Sequence, residues 1–288
     1  MPKVTVARPA GFCFGVERAI RLAREGLKRR GKVFTFGQLV HNPQVLAELA
    51  RAGIKAVRNL AEVQGGAIVI RAHGCPPEVF VECEKRGIEV IDATCPYVRR
   101  VQEVARRLAA EGYQVLVVGE KNHPEVRAIL AAAGSGAKVY SPQIKISGPV
   151  GVVAQTTVGR EWFKKAVANM LNFRYTEIRV FDTVCAEVVA RQEAASRLAK
   201  RVDAMIVVGG KNSANTRRLA EIGRSCGKPV AHLSSAAGLN LRRWRQYHHI
   251  GVVAGASTPA KVVEDIARML RYSGCGKQPS LRRSVSNE

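Results

Sequence analysis

Residues 88–95, IEVIDATC, and residues 178–185, IRVFDTVC, each run an apolar strand-like stretch into Asp-x-x-Cys, and the two stretches stand 90 residues apart. The cysteine that ends each stretch begins a spacing that occurs a third time near the start of the chain. Each of three cysteines stands 24 residues before a glycine that ends a further strand-like segment: Cys13 before Gly37, Cys95 before Gly119 and Cys185 before Gly209. Agreement in all these spacings indicates three cysteine-led repeat units of about 90 residues.

Short β-branched segments such as VFTFG, VLVVG and MIVVG alternate with amphipathic helices throughout the chain. The alternation predicts an α/β protein of three units with mostly parallel sheets, related by a pseudo-threefold axis. Because the carboxyl ends of parallel strands face the ligand crevice, this trefoil arrangement brings three crevices to one centre. The predicted units are residues 1–95, 96–184 and 185–270, followed by a basic tail, residues 271–288, that we expect to be disordered.

Length and composition exclude several classes of protein. The chain has 288 residues and is 47% hydrophobic, which suits a globular protein with a buried core. No apolar run approaches the roughly 20 residues that span a bilayer, and no signal-like segment opens the chain, so we expect an unprocessed protein outside membranes. Seven cysteines, an odd number at wide spacings, argue against a disulfide framework and favour the reducing cytoplasm.

The chain is strongly basic, with 46 Lys and Arg against 23 Asp and Glu and a formal net charge of +23. Such an excess attracts either nucleic acid or small anionic substrates. The basic residues are spread along predicted helices without a nucleic-acid-binding motif, so we expect solvated helix faces and no nucleic-acid partner. A nucleic-acid-binding protein stays an alternative that explains the charge but none of the polar residues at strand ends.

The three repeat-leading cysteines would meet at the centre of the threefold arrangement. Three thiolates suit a metal ion or an iron–sulfur cluster, and a cubane cluster with only three cysteine ligands leaves one iron open to substrate. Pro96 places Cys95 at a helix N-cap, where the positive helix end favours a thiolate. Phe12 and Phe14, on either side of Cys13, are expected to shield a cluster from water. The other cysteines lack this context and are expected to be incidental: Cys75, Cys83, Cys226 and Cys275.

Hydrogen-bond donors cluster at the predicted strand ends and in the loops that follow them: His41, His73, His123, Thr156, Thr157, Ser213, Asn215 and Ser257. Imidazoles, hydroxyls and an amide before helix N-termini make a cradle for phosphate. The three histidines also suit a mononuclear-metal hydrolase, but that alternative leaves the three cysteines unexplained. Glu125 is either an ordinary carboxylate of a first helical turn or a proton donor beside the Thr156 hydroxyl. The remaining histidines are expected to be structural or at the surface: His232, His248 and His249.

Eight stretches between about residues 10 and 270 resemble the 4-hydroxy-3-methylbut-2-enyl diphosphate reductase family: GFCFGVERAI, LVHNPQV, RAHG, DATCP, HPEV, AQTT, VVGGKNSANTRRL and GVVAGAS. The resemblance implies a three-domain trefoil around one central [4Fe-4S] cluster held by Cys13, Cys95 and Cys185. It also implies reductive removal of the hydroxyl group of an allylic diphosphate as water, which yields isopentenyl and dimethylallyl diphosphate. This is the last step of the methylerythritol phosphate route, and the implied electron donor is reduced ferredoxin or flavodoxin.

The resemblance also implies roles for individual side chains. Those that would hold the diphosphate are His41, His73, His123, Ser213, Asn215 and Ser257. Glu125 would supply protons, with Thr157 and Thr156 close to the substrate. Two departures concern the substrate contacts, because Ala214 stands where the family often has a serine, and Glu187 and Val188 replace a usually Ala-Thr-rich stretch.

Overall fold

Three four-stranded sheets, with parallel pairing throughout, build the described part of the chain. The computed structural model describes residues 1–146 and 148–272. The predicted α/β class with mostly parallel sheets is therefore confirmed. Of the predicted disordered tail, residues 271–288, Arg271 belongs to the last helix, whereas residues 273–288, with Cys275, lie outside the described residues.

The first part of the chain supplies five strands and three helices. Their bounds are Lys3–Val6 (β1), Phe14–Arg30 (α1), Val33–Phe36 (β2), Pro43–Arg51 (α2), Ile54–Val57 (β3), Ala67–Ile70 (β4), Pro77–Lys85 (α3) and Glu89–Asp92 (β5), with a 3-10 turn at Leu60–Glu62. The first sheet has the strand order β3-β2-β4-β5.

The middle part repeats this plan with a very short second strand. Its elements are Pro96–Ala110 (α4), Gln114–Val118 (β6), Pro124–Ala133 (α5), Lys138–Val139 (β7), Pro149–Ala154 (β8), Arg160–Met170 (α6) and Glu177–Val180 (β9). The second sheet has the strand order β7-β6-β8-β9.

The last described part closes the arrangement. Its elements are Ala186–Ala199 (α7), Ala204–Val208 (β10), Ala214–Ser225 (α8), Val230–Leu233 (β11), Leu241–Trp244 (α9), His249–Ala254 (β12) and Ala260–Arg271 (α10), with a 3-10 turn at Ala236–Gly238. The third sheet has the strand order β11-β10-β12-β1, so the first strand of the chain fills the place that β5 and β9 fill in the other sheets.

The pairing of β1 joins the two ends of the described chain. Lys3 lies opposite His249 and Val6 opposite Val252, in parallel register. The three sheets therefore have equivalent strand orders. The last strand in each order, β5, β9 or β1, leads into one of the three repeat-leading cysteines. The division at residues 95 and 184 stays a prediction, and residues 3–6 of its first unit pair within the sheet of its third.

Helices cover both faces of the central strands, which explains why β4 and β10 are apolar at every position. All residues of β4 and β10 are buried, as expected for parallel strands between two helical layers. Helix α1 buries Ala19 and Ala23 against the first sheet and ends at Gly31, which adopts the left-handed conformation (φ 68°) that glycine allows without steric cost. Among the described helices, none is long and apolar enough to cross a membrane.

Candidate active site

The three repeat-leading cysteines occupy equivalent positions in the backbone. Each cysteine N–H donates to the carbonyl of the residue two positions past the end of β12, β4 or β8. The pairs are Cys13 with the Ala256 carbonyl at 2.9 Å, Cys95 with the Ala72 carbonyl at 3.0 Å and Cys185 with the Thr156 carbonyl at 2.9 Å. Each cysteine is also the N-cap of the helix that follows it, α1, α4 or α7. One pocket is lined by all three.

The helix N-termini act on the thiols as the sequence suggests, but burial has the larger effect. Backbone amides in the first turn lower the pKa of each thiol: those of Val16 and Gly15 for Cys13, Tyr97 and Val98 for Cys95, and Val188 and Glu187 for Cys185. Desolvation nevertheless raises the pKa of all three thiols above the usual value. The helix ends therefore favour the thiolate form as expected, but burial outweighs them, and a bound cation would stabilise the thiolates further.

The first turn of α1 lies directly against Cys95. A Cβ atom added at Gly15 would lie 2.7 Å from the Cys95 sulfur, closer than any real side chain approaches. Arg18 strengthens this contact, since its guanidinium donates to the carbonyls of Thr94 at 3.3 Å and Asp92 at 3.4 Å. The Phe14 N–H in turn donates to a Glu187 carboxylate oxygen at 3.4 Å. The first turn of α1 thus contacts both the Cys95 helix end and the first turn of α7.

The three predicted histidines line the same pocket. The ring centroids of His41 and His73 are 4.7 Å apart, those of His73 and His123 are 5.3 Å apart, and those of His41 and His123 are 6.0 Å apart. Their ligand atoms all lie within 4.8 Å of one another, and no other group of three or more His, Cys, Asp or Glu side chains in the described residues is this close.

Without a compensating negative charge, the three histidines are neutral near pH 7. Burial, with Arg71 and Arg217 nearby, lowers the pKa of His41 to about 4. Burial and the neighbouring His41, Arg71 and Arg217 lower the pKa of His123 to about 3. For His73, burial and the two other histidines hold the pKa well below the ordinary value. These rings become cationic only if an anion compensates their charge.

Several polar groups in the pocket have no partner. The ring nitrogens of His41, Nδ1 of His73, both side-chain atoms of Asn215 and Oγ of Ser257 are buried without a hydrogen bond. Asn215 and Ser257 lie 3% and 6% exposed, in α8 and after β12. Leaving a buried polar group unpaired costs about 1–3 kcal/mol. The number of unpaired polar groups around this one pocket therefore indicates a polar ligand.

A short chain of hydrogen bonds links Glu125 to the cysteine side of the pocket. The wholly buried Glu125 carboxylate accepts the Thr156 N–H at 2.6 Å and the Thr156 hydroxyl at 2.9 Å. The carbonyl of Thr156 accepts the Cys185 N–H. Burial raises the pKa of Glu125 to about 7, although the two bonds from Thr156 oppose that rise. A carboxyl group with a pKa near neutrality is poised to give and take a proton.

The loops that follow β2, β6 and β10 use similar local geometry. His123 caps α5 by accepting the Glu125 N–H on Nδ1 at 3.2 Å, and Ser213 caps α8 by accepting the Thr216 N–H at 3.3 Å. In the first loop the cap is Asn42, and His41 precedes it by one residue. Ser213, Ala214 and Thr157 line the pocket.

Three apolar residues of the pocket were not among the predicted site residues. Val16, Val98 and Val188 each stand three positions after a repeat-leading cysteine, and all three line the pocket. This repetition was visible in the sequence. Arg191 was also missed: it is 3% exposed, and its guanidinium donates to the carbonyls of Pro9 at 3.2 Å and Ala254 at 3.4 Å.

The remaining sequence expectations lie away from the pocket, with one correction beside it. Phe12 is partly buried against the first core, but Phe14 is exposed, so its expected role as a shield is wrong. The other described cysteines do not line the pocket: Cys75, Cys83 and Cys226. The same holds for His232, which contacts the Gly209 carbonyl, for His249, which contacts Thr5, and for the exposed His248.

A model of the LytB protein family, described as LytB protein, matches residues 4–271. The 4-hydroxy-3-methylbut-2-enyl diphosphate reductase of Geotalea uraniireducens (strain Rf4) is 40% identical over 275 residues, which cover 93% of this chain and 96% of that protein. The reductase of the same name from Aquifex aeolicus (strain VF5) is 41% identical over 275 residues, which cover 92% and 95%.

Solved structures give the same result. A structure of (E)-4-hydroxy-3-methyl-but-2-enyl diphosphate reductase, described as the terminal enzyme of the non-mevalonate pathway, is 39% identical, with a TM-score of 0.68 and coverage of 94% of this chain and 99% of that one. The E-1-hydroxy-2-methyl-but-2-enyl-4-diphosphate reductase from Plasmodium falciparum is 25% identical, with a TM-score of 0.85 and coverage of 93% and 88%.

Proposed function

The chain belongs to the LytB protein family, and we propose on that premise that the central pocket is the active site in which (E)-4-hydroxy-3-methylbut-2-enyl diphosphate is reduced. The chain is accordingly an oxidoreductase of the non-mevalonate route to isoprenoids. Its products are isopentenyl diphosphate and dimethylallyl diphosphate. The observation that carries the assignment to this pocket is its lining, which combines three equivalent cysteines with a set of unpartnered hydrogen-bonding groups.

The family implies an iron–sulfur cluster, and the finer proposal is one [4Fe-4S] cluster held by Cys13, Cys95 and Cys185. The donor set fits this cluster. The three cysteines are anchored by equivalent backbone hydrogen bonds, and first-turn amides lower the pKa of each thiol, whereas burial raises it. When bound, the cluster would supply electrons and a Lewis-acidic iron for removal of the hydroxyl group.

His41, His73 and His123 form the proposed diphosphate cradle together with three further donors, Ser213, Asn215 and Ser257. The unpartnered atoms of Asn215 and Ser257 would gain hydrogen bonds to phosphate oxygens, and the charges of Arg71 and Arg217 act on the same histidines. Charge-assisted bonds of this kind are the strong ones, and they compensate the cost of the unpaired groups.

The hydrogen bond at His123 separates this proposal from the mononuclear-metal hydrolase. Because Nδ1 accepts the Glu125 N–H, the neutral ring carries its proton on Nε2. An Nε2–H group donates to an anion, whereas it cannot coordinate a metal ion until the proton leaves. The close histidine cluster therefore serves an anionic ligand better than a cation.

Glu125 and Thr156 are the proposed proton pathway, and Thr157 lies beside them at the pocket wall. Removing a hydroxyl group as water requires protons in a pocket whose other side is apolar. Glu125 holds a proton at neutral pH because burial raises its pKa to about 7. The Thr156 hydroxyl, which donates to Glu125, can pass that proton toward the substrate after reorienting.

The two departures from the family pattern change substrate contacts. Ala214 lines the pocket without a hydroxyl group, so the diphosphate loses one donor there. Val188 adds an apolar surface beside Cys185, which suits the hydrocarbon part of the substrate. Glu187 instead contacts the Phe14 N–H and lies 3.7 Å from Arg191.

Reduced ferredoxin or flavodoxin is the proposed electron donor, and the cytoplasm is the proposed location. The formal charge of +23 suits an acidic protein donor. A nucleic-acid-binding function has no support beyond that charge, because the pocket residues would be unused by it.

Anaerobic turnover of the allylic diphosphate with a chemical reductant tests the function. We expect both diphosphate products, together with about four irons and four sulfides per chain. Zinc without iron and without turnover would contradict the proposal in favour of a hydrolase. Tight, steeply salt-dependent binding of DNA or RNA by cluster-free protein would favour the nucleic-acid alternative.

A further inference from the structure

One carboxylate contacts two of the three cysteine-bearing helix ends. Glu187 stands two residues after Cys185, in the first turn of α7. Its side chain reaches α1, where it accepts the N–H of Phe14, the residue directly after Cys13, at 3.4 Å. The proposed function gives Glu187 no role, and Glu187 does not line the pocket. A negatively charged side chain therefore lies just behind two proposed cluster ligands at once.

The described residues give Glu187 one ion pair. The Arg191 guanidinium, one turn further along α7, lies 3.7 Å from the Glu187 carboxylate. Arg191 is 3% exposed and also donates to the carbonyls of Pro9 and Ala254, so its donors are divided among several acceptors. The Glu187 side chain is 38% exposed. The arginine thus balances the carboxylate from beyond hydrogen-bonding distance and only in part.

The charge of Glu187 acts on the two nearby thiols. Burial is the main cause of the raised pKa of both thiols, Cys13 and Cys185. Among charged groups, Glu187 has the largest effect on each of these pKa values, and it raises both. Arg191 lowers the pKa of Cys13, but by less than Glu187 raises it. A charge that disfavours a thiolate also disfavours any further negative charge at the same place.

We propose that Glu187 lowers the reduction potential of the [4Fe-4S] cluster assigned to this pocket. The inference rests on the proposed function, because it requires a cluster held by Cys13 and Cys185. Reduction adds one electron, so the cluster with its three thiolates becomes more negative by one charge. The fixed negative charge of Glu187 opposes that gain, and local charge is one of the factors that set iron–sulfur potentials. Glu187 acts on the cluster through its charge, without contacting the substrate.

The charge can be removed without removing the hydrogen bond. Glu187→Gln keeps an oxygen that accepts the Phe14 N–H, whereas Glu187→Asp keeps the charge on a shorter side chain. Glu193→Gln is the matched control, because Glu193 is a 57% exposed carboxylate on the same helix that pairs with Arg197 at 3.5 Å. Anaerobic titration of the reconstituted proteins with dithionite, followed by absorption and electron paramagnetic resonance, measures the midpoint potential of the cluster.

We expect Glu187→Gln to shift the midpoint potential to more positive values. At a fixed potential, the ratio of reduced to oxidised cluster should rise about threefold to tenfold, as for a unit charge removed at a partly exposed site. Glu187→Asp and Glu193→Gln should keep that ratio within about twofold of the unmodified protein. An unshifted potential in Glu187→Gln would overturn the inference. Equal shifts in Glu187→Gln and Glu187→Asp would also overturn it, because shape rather than charge would then be the cause.

A second charge-free variant and an independent measurement keep the test decisive. Glu187→Thr should shift the potential in the same direction as Glu187→Gln, and it carries the test if the glutamine variant does not hold a cluster. Iron and sulfide content and the thermal unfolding of cluster-free protein should match the unmodified protein, which separates a change in potential from damage to the site. Failure of the unmodified protein to bind iron and sulfide would instead overturn the proposed function.

Discussion

Two hydrogen bonds join Glu125 to Thr156. The Glu125 carboxylate accepts the backbone N–H of the threonine at 2.6 Å and its hydroxyl at 2.9 Å. The carboxylate is wholly buried, and no ion pair compensates its charge among the described residues. A lone buried carboxylate prefers to be protonated, which agrees with the direction in which burial moves its pKa. Glu125, which can hold a proton, is therefore hydrogen-bonded to Thr156, whose carbonyl also accepts the Cys185 N–H.

Glu125→Gln should slow turnover by about 10²–10⁴-fold while iron content and diphosphate binding stay normal. Glutamine keeps the shape and can still accept the Thr156 N–H, but it cannot release a proton. In the unmodified enzyme, kcat should fall as pH rises through about 7, where Glu125 loses its proton. Anaerobic kinetics over pH measure both effects, and unchanged turnover in the variant would return Glu125 to a purely structural role.

Cys13→Ser, Cys95→Ser and Cys185→Ser should each lose most of the cluster and of the activity, because the three positions are equivalent. Cys226→Ser is the matched control, since this partly buried thiol does not line the pocket. Iron and sulfide analysis with absorption spectroscopy after anaerobic reconstitution measures the outcome. Full cluster content in any one of the three pocket variants would contradict the ligand assignment.

Gly15→Ala should disturb the cluster without unfolding the protein. The added methyl group would lie 2.7 Å from the Cys95 sulfur, and overpacking of this kind costs about 1–3 kcal/mol. Gly136→Ala is the control, because a Cβ there meets nothing within 4 Å. We expect lower iron retention only for Gly15→Ala, with both variants keeping the circular dichroism of the unmodified protein. Equal iron retention would mean that the first turn of α1 does not constrain the ligand.

The central arrangement was predictable because repeat spacing reports on equivalent positions. The distance of 24 residues from each cysteine to a strand-ending glycine was enough to predict that Cys13, Cys95 and Cys185 lie together. In the structure one pocket is lined by all three. The polar residues after the strands followed from the rule that parallel strands end at the ligand crevice. Both inferences use local order along the chain, which a sequence displays directly.

Properties that depend on distant segments were not predictable in the same way. The pairing of β1 with β12 joins segments more than 240 residues apart, and no local pattern reports it. The pKa of the thiols is decided by how much of the fold buries them, which outweighs the helix ends that the sequence shows. Phe14 was expected to shield a cluster from water because it follows Cys13, but whether its side chain faces the pocket or the solvent is a tertiary property.

Binding of inorganic diphosphate should take up protons. Without a bound anion, His41 and His123 have pKa values of about 4 and about 3, so both rings are neutral at pH 6. A bound anion stabilises the protonated rings, raises both pKa values and makes binding tighter as pH falls from 8 to 6. Calorimetry at pH 6 in two buffers with different ionisation enthalpies measures the number of protons.

The diphosphate itself also exchanges protons, so the informative quantity is the difference between proteins. His41→Asn should take up fewer protons than the unmodified protein and should bind diphosphate with a weaker pH dependence, because one titrating ring is gone. His248→Asn removes an exposed histidine outside the pocket and should leave both quantities unchanged. If His41→Asn and His248→Asn take up equal numbers of protons, the cradle holds the anion with neutral imidazoles that donate through their N–H groups alone.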